Sequence, residues 1–440
     1  MIRKIDRIFL TAVFLIISFS MSAQDGTYGA YSPYSIFGIG DISKEGTAYN
    51  KSMGGVGVAN RNNRYINILN PAAVTARDTL SFMADFGMIQ DNTIYRQNLQ
   101  KDIKSAHNTF NIYDFVMTFP IYRSSAFKVG LIPYSDIGYD FSSVETDSSI
   151  IGNTGNITYD SYGAGSVYQA FLGAGVTFWK KLSVGADMIY YFGNLDKVTQ
   201  MQFSDDSYRS LNSGSELTVR GVTGKFGLQF EQKLGGNVSM IVGATYKLGT
   251  DMKGYSTNYR YANQSSVTDS LRHTVDTLSA LGLRFADEIG IGIALKGGDK
   301  WTAEFDYIRS DWSRSGLDRA PGFKVNGESN FTTTVSQSFR AGFEIIPNIN
   351  DIRYYFNTCS YRFGVYYDQA YYKLDGNNVN SMGITLGMTL PVFKLYNGIS
   401  LGMDIGQRAS TRNGMIRERY AKFVIGFNIH DLWFRKVQYQ

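Results

Sequence analysis

The strongest constraint in this chain is a rhythm. From Leu80 to Ile429, stretches of period-2 alternation recur, separated by connections that are alternately short and long. Between Leu182 and Phe192 the even positions are Leu182, Val184, Ala186, Met188, Tyr190 and Phe192, with Ser183, Gly185 and Asp187 between them. The same phasing holds for Trp301, Ala303, Phe305 and Tyr307, for Met382, Ile384, Leu386, Met388 and Leu390, and for Ala421 to Ile429. Such alternation makes strands with one apolar face. Strands are expected near 80–96, 109–121, 126–141, 166–178, 183–202, 216–232, 238–247, 284–295, 301–312, 332–346, 354–372, 380–391, 399–408 and 419–429. The expected short connections are 122–125, 179–182, 233–237, 296–300, 347–353 and 392–398, and the long ones centre on 97–108, 142–165, 203–215, 248–283, 313–331, 373–379 and 409–418. A closed barrel with both chain ends on one side of a membrane has this parity, whereas a soluble sandwich has little reason to sort its loops by length. The expected fold class is therefore all-β: a transmembrane antiparallel β-barrel of about 14 strands spanning residues 80–430. The least regular part is 248–283, where Ser266 to Leu278 is either an additional strand pair or a hairpin extended above the membrane.

With the apolar phase facing lipid, the opposite phase places Asp187, Lys225, Glu304, Asp306, Arg340, Glu344, Asp404 and Lys422 in the lumen. Charges of both signs there either form salt bridges and hydrogen bonds with whatever fills the barrel or line a substrate path. A filling is available. Ser32 to Ala73 carries Gly38, Gly40, Gly46, Gly54, Gly55 and Gly57 among short apolar clusters and sustains neither helical nor strand periodicity. So apolar and irregular a segment needs enclosure and partners for its backbone. We expect residues 24–79 to form an amino-terminal arm and a plug in the lumen.

The leader sets the compartment. Arg3, Lys4 and Arg7 precede the apolar run Ile8 to Phe19, followed by SMSAQ, the pattern of a secretory signal peptide over residues 1–23, cleaved after Ala23 or after Ser22. Removing it takes three positive charges and one negative from a net +5, leaving +3, too small and dispersed an excess to suggest nucleic acid. Cys359 is the one cysteine, which leaves no disulfide framework. Aromatic residues at 15%, with 46 glycines and 7 prolines, suit strands, tight turns and interface girdles. These features point to a bacterial outer membrane, with its lipid as the surrounding partner.

An amino-terminal segment carrying Asn70-Pro71-Ala72 ahead of such a barrel, with the glycine-rich Met53 to Ala59 and a strand running Trp301 to Trp312 around Asp306-Tyr307, resembles the long-chain fatty-acid outer-membrane transporter (FadL-like) family. The resemblance covers the mature chain in architecture. It implies a hatch made with Asn70, Pro71, Ala72, Gly54 and Gly55, a hydrophobic ligand held inside, and lateral release through a kinked third strand. Pro133 and Gly138 stand where that kink is implied, since proline has no N–H for the ladder and glycine permits a bulge. Pro133 alternatively marks where the strand leaves the hydrocarbon layer, or a harmless bulge. Relatives of the same architecture serve as subunits of secretion complexes, and residues 431–440 beyond the last strand form a periplasmic tail available to a partner.

No enzyme is expected. His107 and His273 fall in expected external loops and His430 at the periplasmic end, so no nucleophile–base pair emerges. Three scattered histidines and one cysteine give no metal-ligand spacing and imply no cofactor. Gly54-Gly55-Val56-Gly57 lacks the flanking strand and helix of a phosphate loop. Two functional readings follow. One is uptake of a fatty-acid-like molecule with lateral release. The other is a plugged barrel that conducts nothing and serves as a subunit of an outer-membrane secretion or assembly complex. An open pore is third, because an apolar plug defeats it.

Overall fold

In the computed structural model the described residues are 30–432, apart from 78–80, 99–101, 123, 206, 265–266, 324–329 and 393–396. The signal peptide and most of the tail, 433–440, lie outside them. The wall is a closed antiparallel barrel of 14 strands. In chain order these are β1 (Ser81–Asn98), β2 (Asp102–Tyr122), β3 (Ser125–Val144), β4 (Ile157–Phe178), β5 (Leu182–Phe203), β6 (Ser210–Gly235) and β7 (Val238–Lys247). They continue as β8 (Glu288–Gly297), β9 (Trp301–Asp311), β10 (Val335–Ile345), β11 (Ser360–Leu374), β12 (Asn377–Pro391), β13 (Gly398–Arg408) and β14 (Arg417–Leu432). Each pairs with its sequence neighbours, and β1 closes the ring on β14 from Ser81↔Leu432 to Arg96↔Arg417. Closure satisfies the wall's backbone without an edge, which a hydrocarbon medium demands. No helix among the described residues is long and apolar enough to cross a membrane.

Several expected boundaries move. β1 to β6 run 18 to 26 residues, where about 10 suffice to cross the hydrocarbon layer. Past the membrane both faces of a strand meet water, so alternation fades while the hydrogen-bonded ladder continues. His107, expected in a loop, therefore lies within β2, and the expected long connection at 373–379 shrinks to the turn Asp375–Gly376. Conversely the expected short connection 347–353 spans 346–359 and includes the single turn Tyr355–Thr358. Strand β14 extends to Leu432, two residues into the expected tail. In the irregular 248–283 region, Lys253–Gln264 and Val267–Thr277 form a hairpin whose first strand pairs with the outer part of β6, so it prolongs the wall.

Residues 30–77 lie within this wall. From Ala48 to Val74 the segment winds around the inner circumference along a track of inward-facing glycines. Gly426 faces Ala48, Gly402 and Gly387 face Ser52, Gly364 faces Gly54, and Gly342 faces Met53. Gly292 and Gly243 then face Val58, Gly227 faces Asn70, Gly185 faces Pro71, and Gly175 faces Val74. These glycines are register partners across the wall: Gly175↔Gly185↔Gly227, Gly243↔Gly292, Gly342↔Gly364 and Gly387↔Gly402. The track removes side chains where two backbones must touch, a use of strand glycine that outweighs its cost to the strand. Above it, Phe37, Tyr134, Tyr191, Phe285, Trp312, Phe331 and Tyr372 pack into one apolar layer with residues from the outer connections.

A side chain added to the track should force plug and wall apart. At Gly364 a Cβ would overlap the backbone of Met53 and Gly54. Gly364→Val is expected to cost about 1–3 kcal/mol in denaturant unfolding of the purified barrel, with faster proteolysis of residues 30–77. Gly152→Ala, at an exposed position outside the barrel wall where an added Cβ meets nothing, should leave that proteolysis unchanged.

The plugged lumen as the candidate functional site

The segment is irregular because it is built from caps and turns. The helical turn Ala48–Lys51 is closed by Ser52 and followed by Gly54 and Gly55, at φ of +73° and +79°, a left-handed conformation that glycine adopts without strain. Asn70 caps the short 3-10 helix Pro71–Thr75, its Oδ1 accepting from Ala72 N at 3.0 Å. Its Nδ2 donates to Val58 O at 2.7 Å and to the wall at Leu228 O, 3.2 Å. Asn70, Pro71 and Ala72 are thus a structural corner seated against β5 and β6, and Gly54 lies between β10 and β11.

Backbone N–H groups left over by this irregularity are met by carboxylates on the wall. Asp306 Oδ2 accepts from Gly57 N at 2.7 Å and Val58 N at 2.9 Å. Glu304 accepts from Ala59 N at 2.9 Å and Asn60 Nδ2 at 3.0 Å. Arg340 donates to Gly55 O at 3.1 Å, and Glu344 accepts from the Tyr49 hydroxyl at 3.0 Å. Ion pairs add to these: Lys225 with Glu45 at 2.9 Å, Lys247 with Glu45 at 3.6 Å, Lys44 with Asp368 at 3.1 Å, and Arg408 with Asp41 through two bonds of 2.6 Å. Of the lumenal residues expected from the sequence, Lys225, Glu304, Asp306, Arg340 and Glu344 all touch the plug. Asp187 instead pairs with wall Lys128 at 2.9 Å, and Lys422 pairs with Asp91 at 2.6 Å. Lys128, Lys247 and Arg408 were not singled out from the sequence, although each occupies the inward phase of its strand.

Between plug and wall lies a cavity of 350 Å³, bordered by Asp41, Lys44, Lys51, Asp91, Arg340 and Lys422. Burial pushes the Lys51 ammonium down to about 8, against the opposing pull of Asp114. Burial also pushes the Glu45 carboxyl up, but Lys225 and Lys247 outweigh it and hold it below the usual carboxylate range.

Pro133 and Tyr134 border the same cavity, on the strand where the sequence places a kink. The β2–β3 ladder runs from Tyr122↔Ser125 only to Phe115↔Leu131. From Ile132 to Tyr139 strand β3 is buried on both faces, with a register shift between Pro133 and Ser135. The plug takes its freed edge. Asp41 and Ile42 pair with Asp136 and Ser135, and Ser32 N donates to Gly138 O at 2.8 Å. A Cβ at Gly138 would overlap the Ala30 carbonyl.

The closed 14-strand barrel has a FadL-like fold. The chain belongs to the BamG family, whose model matches residues 1–440. Among solved structures it is similar to the toluene transporter TodX of P. putida, with 15% identity, a TM-score of 0.61, and coverage of 90% of this chain and 100% of that one. It is also similar to a FadL homologue of Pseudomonas aeruginosa, at 10% identity and a TM-score of 0.55, covering 89% and 99%. The toluene transporter TbuX of Ralstonia pickettii, at 13% identity and a TM-score of 0.54, covers 88% and 98%. At these identities the likeness is one of fold. No curated protein sequence matches the chain.

Glu45 offers a direct test of the anchoring. Glu45→Gln takes from Lys225 its 2.9 Å carboxylate partner, while Lys247 keeps Glu288 at 3.3 Å, and is expected to cost about 3 kcal/mol in denaturant unfolding at pH 7. Because the folded carboxyl titrates below its unfolded value, its contribution is full above the usual carboxylate range. It is lost as pH falls through the depressed folded value. Wild type and Glu45→Gln should therefore differ most at neutral pH and converge only in strong acid.

Proposed function

We propose that this protein is an outer-membrane barrel kept shut by its amino-terminal segment and used as a subunit of an outer-membrane protein secretion or assembly complex. The observation that carries this reading is the fastening of the plug. Wall carboxylates and cations from β6 through β13 hold it at many points, and charged side chains such as Lys44, Arg340 and Lys422 stand in the space left beside it among apolar ones such as Ile132, Trp312 and Tyr366. Several buried charged contacts must break together before the plug can move, and removing one partner of such a pair costs several kcal/mol. The whole-chain family match also carries a different label from the transporters that share the fold. On the rim of the chain ends, the 346–359 connection projects Ile352, Tyr354, Tyr355 and Phe356 outward, an apolar knob available to a partner. Gentle extraction should yield a stoichiometric complex on native gels, and the full-length barrel should stay silent in planar bilayers. A lone monomeric band would sink the reading.

A second reading, uptake of a hydrophobic, fatty-acid-like molecule with lateral release, is favoured by one observation: the interrupted wall at Pro133 opens beside the cavity. It predicts an elongated lipid in the organic extract of the purified barrel, and uptake reduced several-fold by Pro133→Ala. A lipid-free extract with unchanged uptake would remove it.

A further inference from the structure

The two strands that part at the wall interruption are treated differently. Strand β3 gives its freed edge to the plug, through Asp41, Ile42, Ser43 and Ser32. Strand β2 does not. Along Ser105 to Asp114 its one strand partner among the described residues is β1, on the other side. A stretch of backbone donors and acceptors therefore runs along the breach with no ladder against it among the described residues.

We propose that this edge of β2 is a docking surface for an extended strand of another membrane protein, which adds to the barrel wall by backbone pairing. The proposal rests on the reading of the chain as a complex subunit and names the surface through which it acts. Its level in the membrane is the first argument. Gln90 pairs with Phe110 on one side and Phe423 on the other, and both phenylalanines are 43% exposed on the outer face, so the edge from Phe110 to Asp114 lies in the apolar band while Ser105 to Asn108 continue it past the membrane. In hydrocarbon an unpaired N–H or C=O costs several kcal/mol, and another backbone is the partner that satisfies a whole row. The composition of the edge is the second argument. From Ser105 to Ile112 there is no proline, lysine, arginine or carboxylate, and the register shift comes only opposite Gly87 and Met88, at Tyr113. Natural edges that must stay single are blunted with such devices, and this one is not. Third, β3 cannot close the breach while the plug occupies its edge.

The pattern of the edge describes the occupant. Ala106, Asn108, Phe110 and Ile112 face outward, while His107, Thr109 and Asn111 face the lumen, where Tyr31 stacks on His107 at 3.7 Å. The matching strand is about 8 residues long, apolar on its lipid side and small or polar on its inner side, and is gripped by main-chain bonds.

The test uses the full chain in its native membrane. A photo-crosslinking residue is placed singly at Asn108, Phe110 or Ile112, with Phe305 and Ile291 on the far wall as lipid-facing controls. The amides of 105–112 are followed by hydrogen exchange in the purified complex and in the barrel dissociated from it. Adducts to another polypeptide at the edge but not at the controls, with exchange slowed at least ten-fold in the complex, are the expected result. A heteromeric complex without edge adducts, or with adducts but no slowing of exchange, overturns the docking edge and leaves the subunit reading standing. An adduct of two copies of this chain makes the edge a homodimer contact and also overturns it. Absence of any complex overturns both.

Discussion

The whole molecule answers to one requirement: within hydrocarbon, every backbone N–H and C=O must find a protein partner. Ring closure between β1 and β14 meets it for most of the wall. Where β2 and β3 part, the requirement reappears locally, and the plug meets it for β3 by lending a two-residue strand at Asp41–Ile42. Plug and wall are therefore one hydrogen-bonded structure, with the amino-terminal segment completing a sheet that the barrel strands leave open.

The glycine track and the lumenal charges solve two halves of a packing problem. An irregular segment can lie against a sheet only if the sheet lacks side chains along its path, and the inward glycines from Gly175 to Gly426 clear that path. Close contact then buries amide groups that no strand or helix pairs. Glu304 and Asp306, two residues apart on one face of β9, accept from consecutive amides of Gly57, Val58 and Ala59. The barrel's inner charge is largely committed to fastening a peptide. Toluene transporters share this fold.

Much of this was legible from the chain, and the misses have physical causes. Glu304, Asp306, Arg340 and Lys225 could be placed inside because period-2 phasing assigns a face to every residue once one face is known. Strand ends outside the membrane could not, since alternation disappears where both faces are wet, and so His107 read as loop. Turn lengths failed at Asp375–Gly376 and at 346–359 for the related reason that composition does not report how far a ladder continues. Glycine content alone suits strands and tight turns in general and does not single out the track, although the inward phase of its glycines is present in the alternation. What they face became visible only when the plug was seen against them.

The sequence by itself determined the class of the protein, its approximate strand number and the inward charges, because alternation, connection parity and glycine content are local properties that survive without a partner. The tertiary structure alone decided which plug residue meets which wall residue, where the β2–β3 ladder stops, and that among the described residues one of the two freed edges has no strand against it. These are pairings between groups hundreds of residues apart, such as Arg408 with Asp41 or Gly57 with Asp306. Their energy comes from closing the ring, which no short stretch of chain encodes.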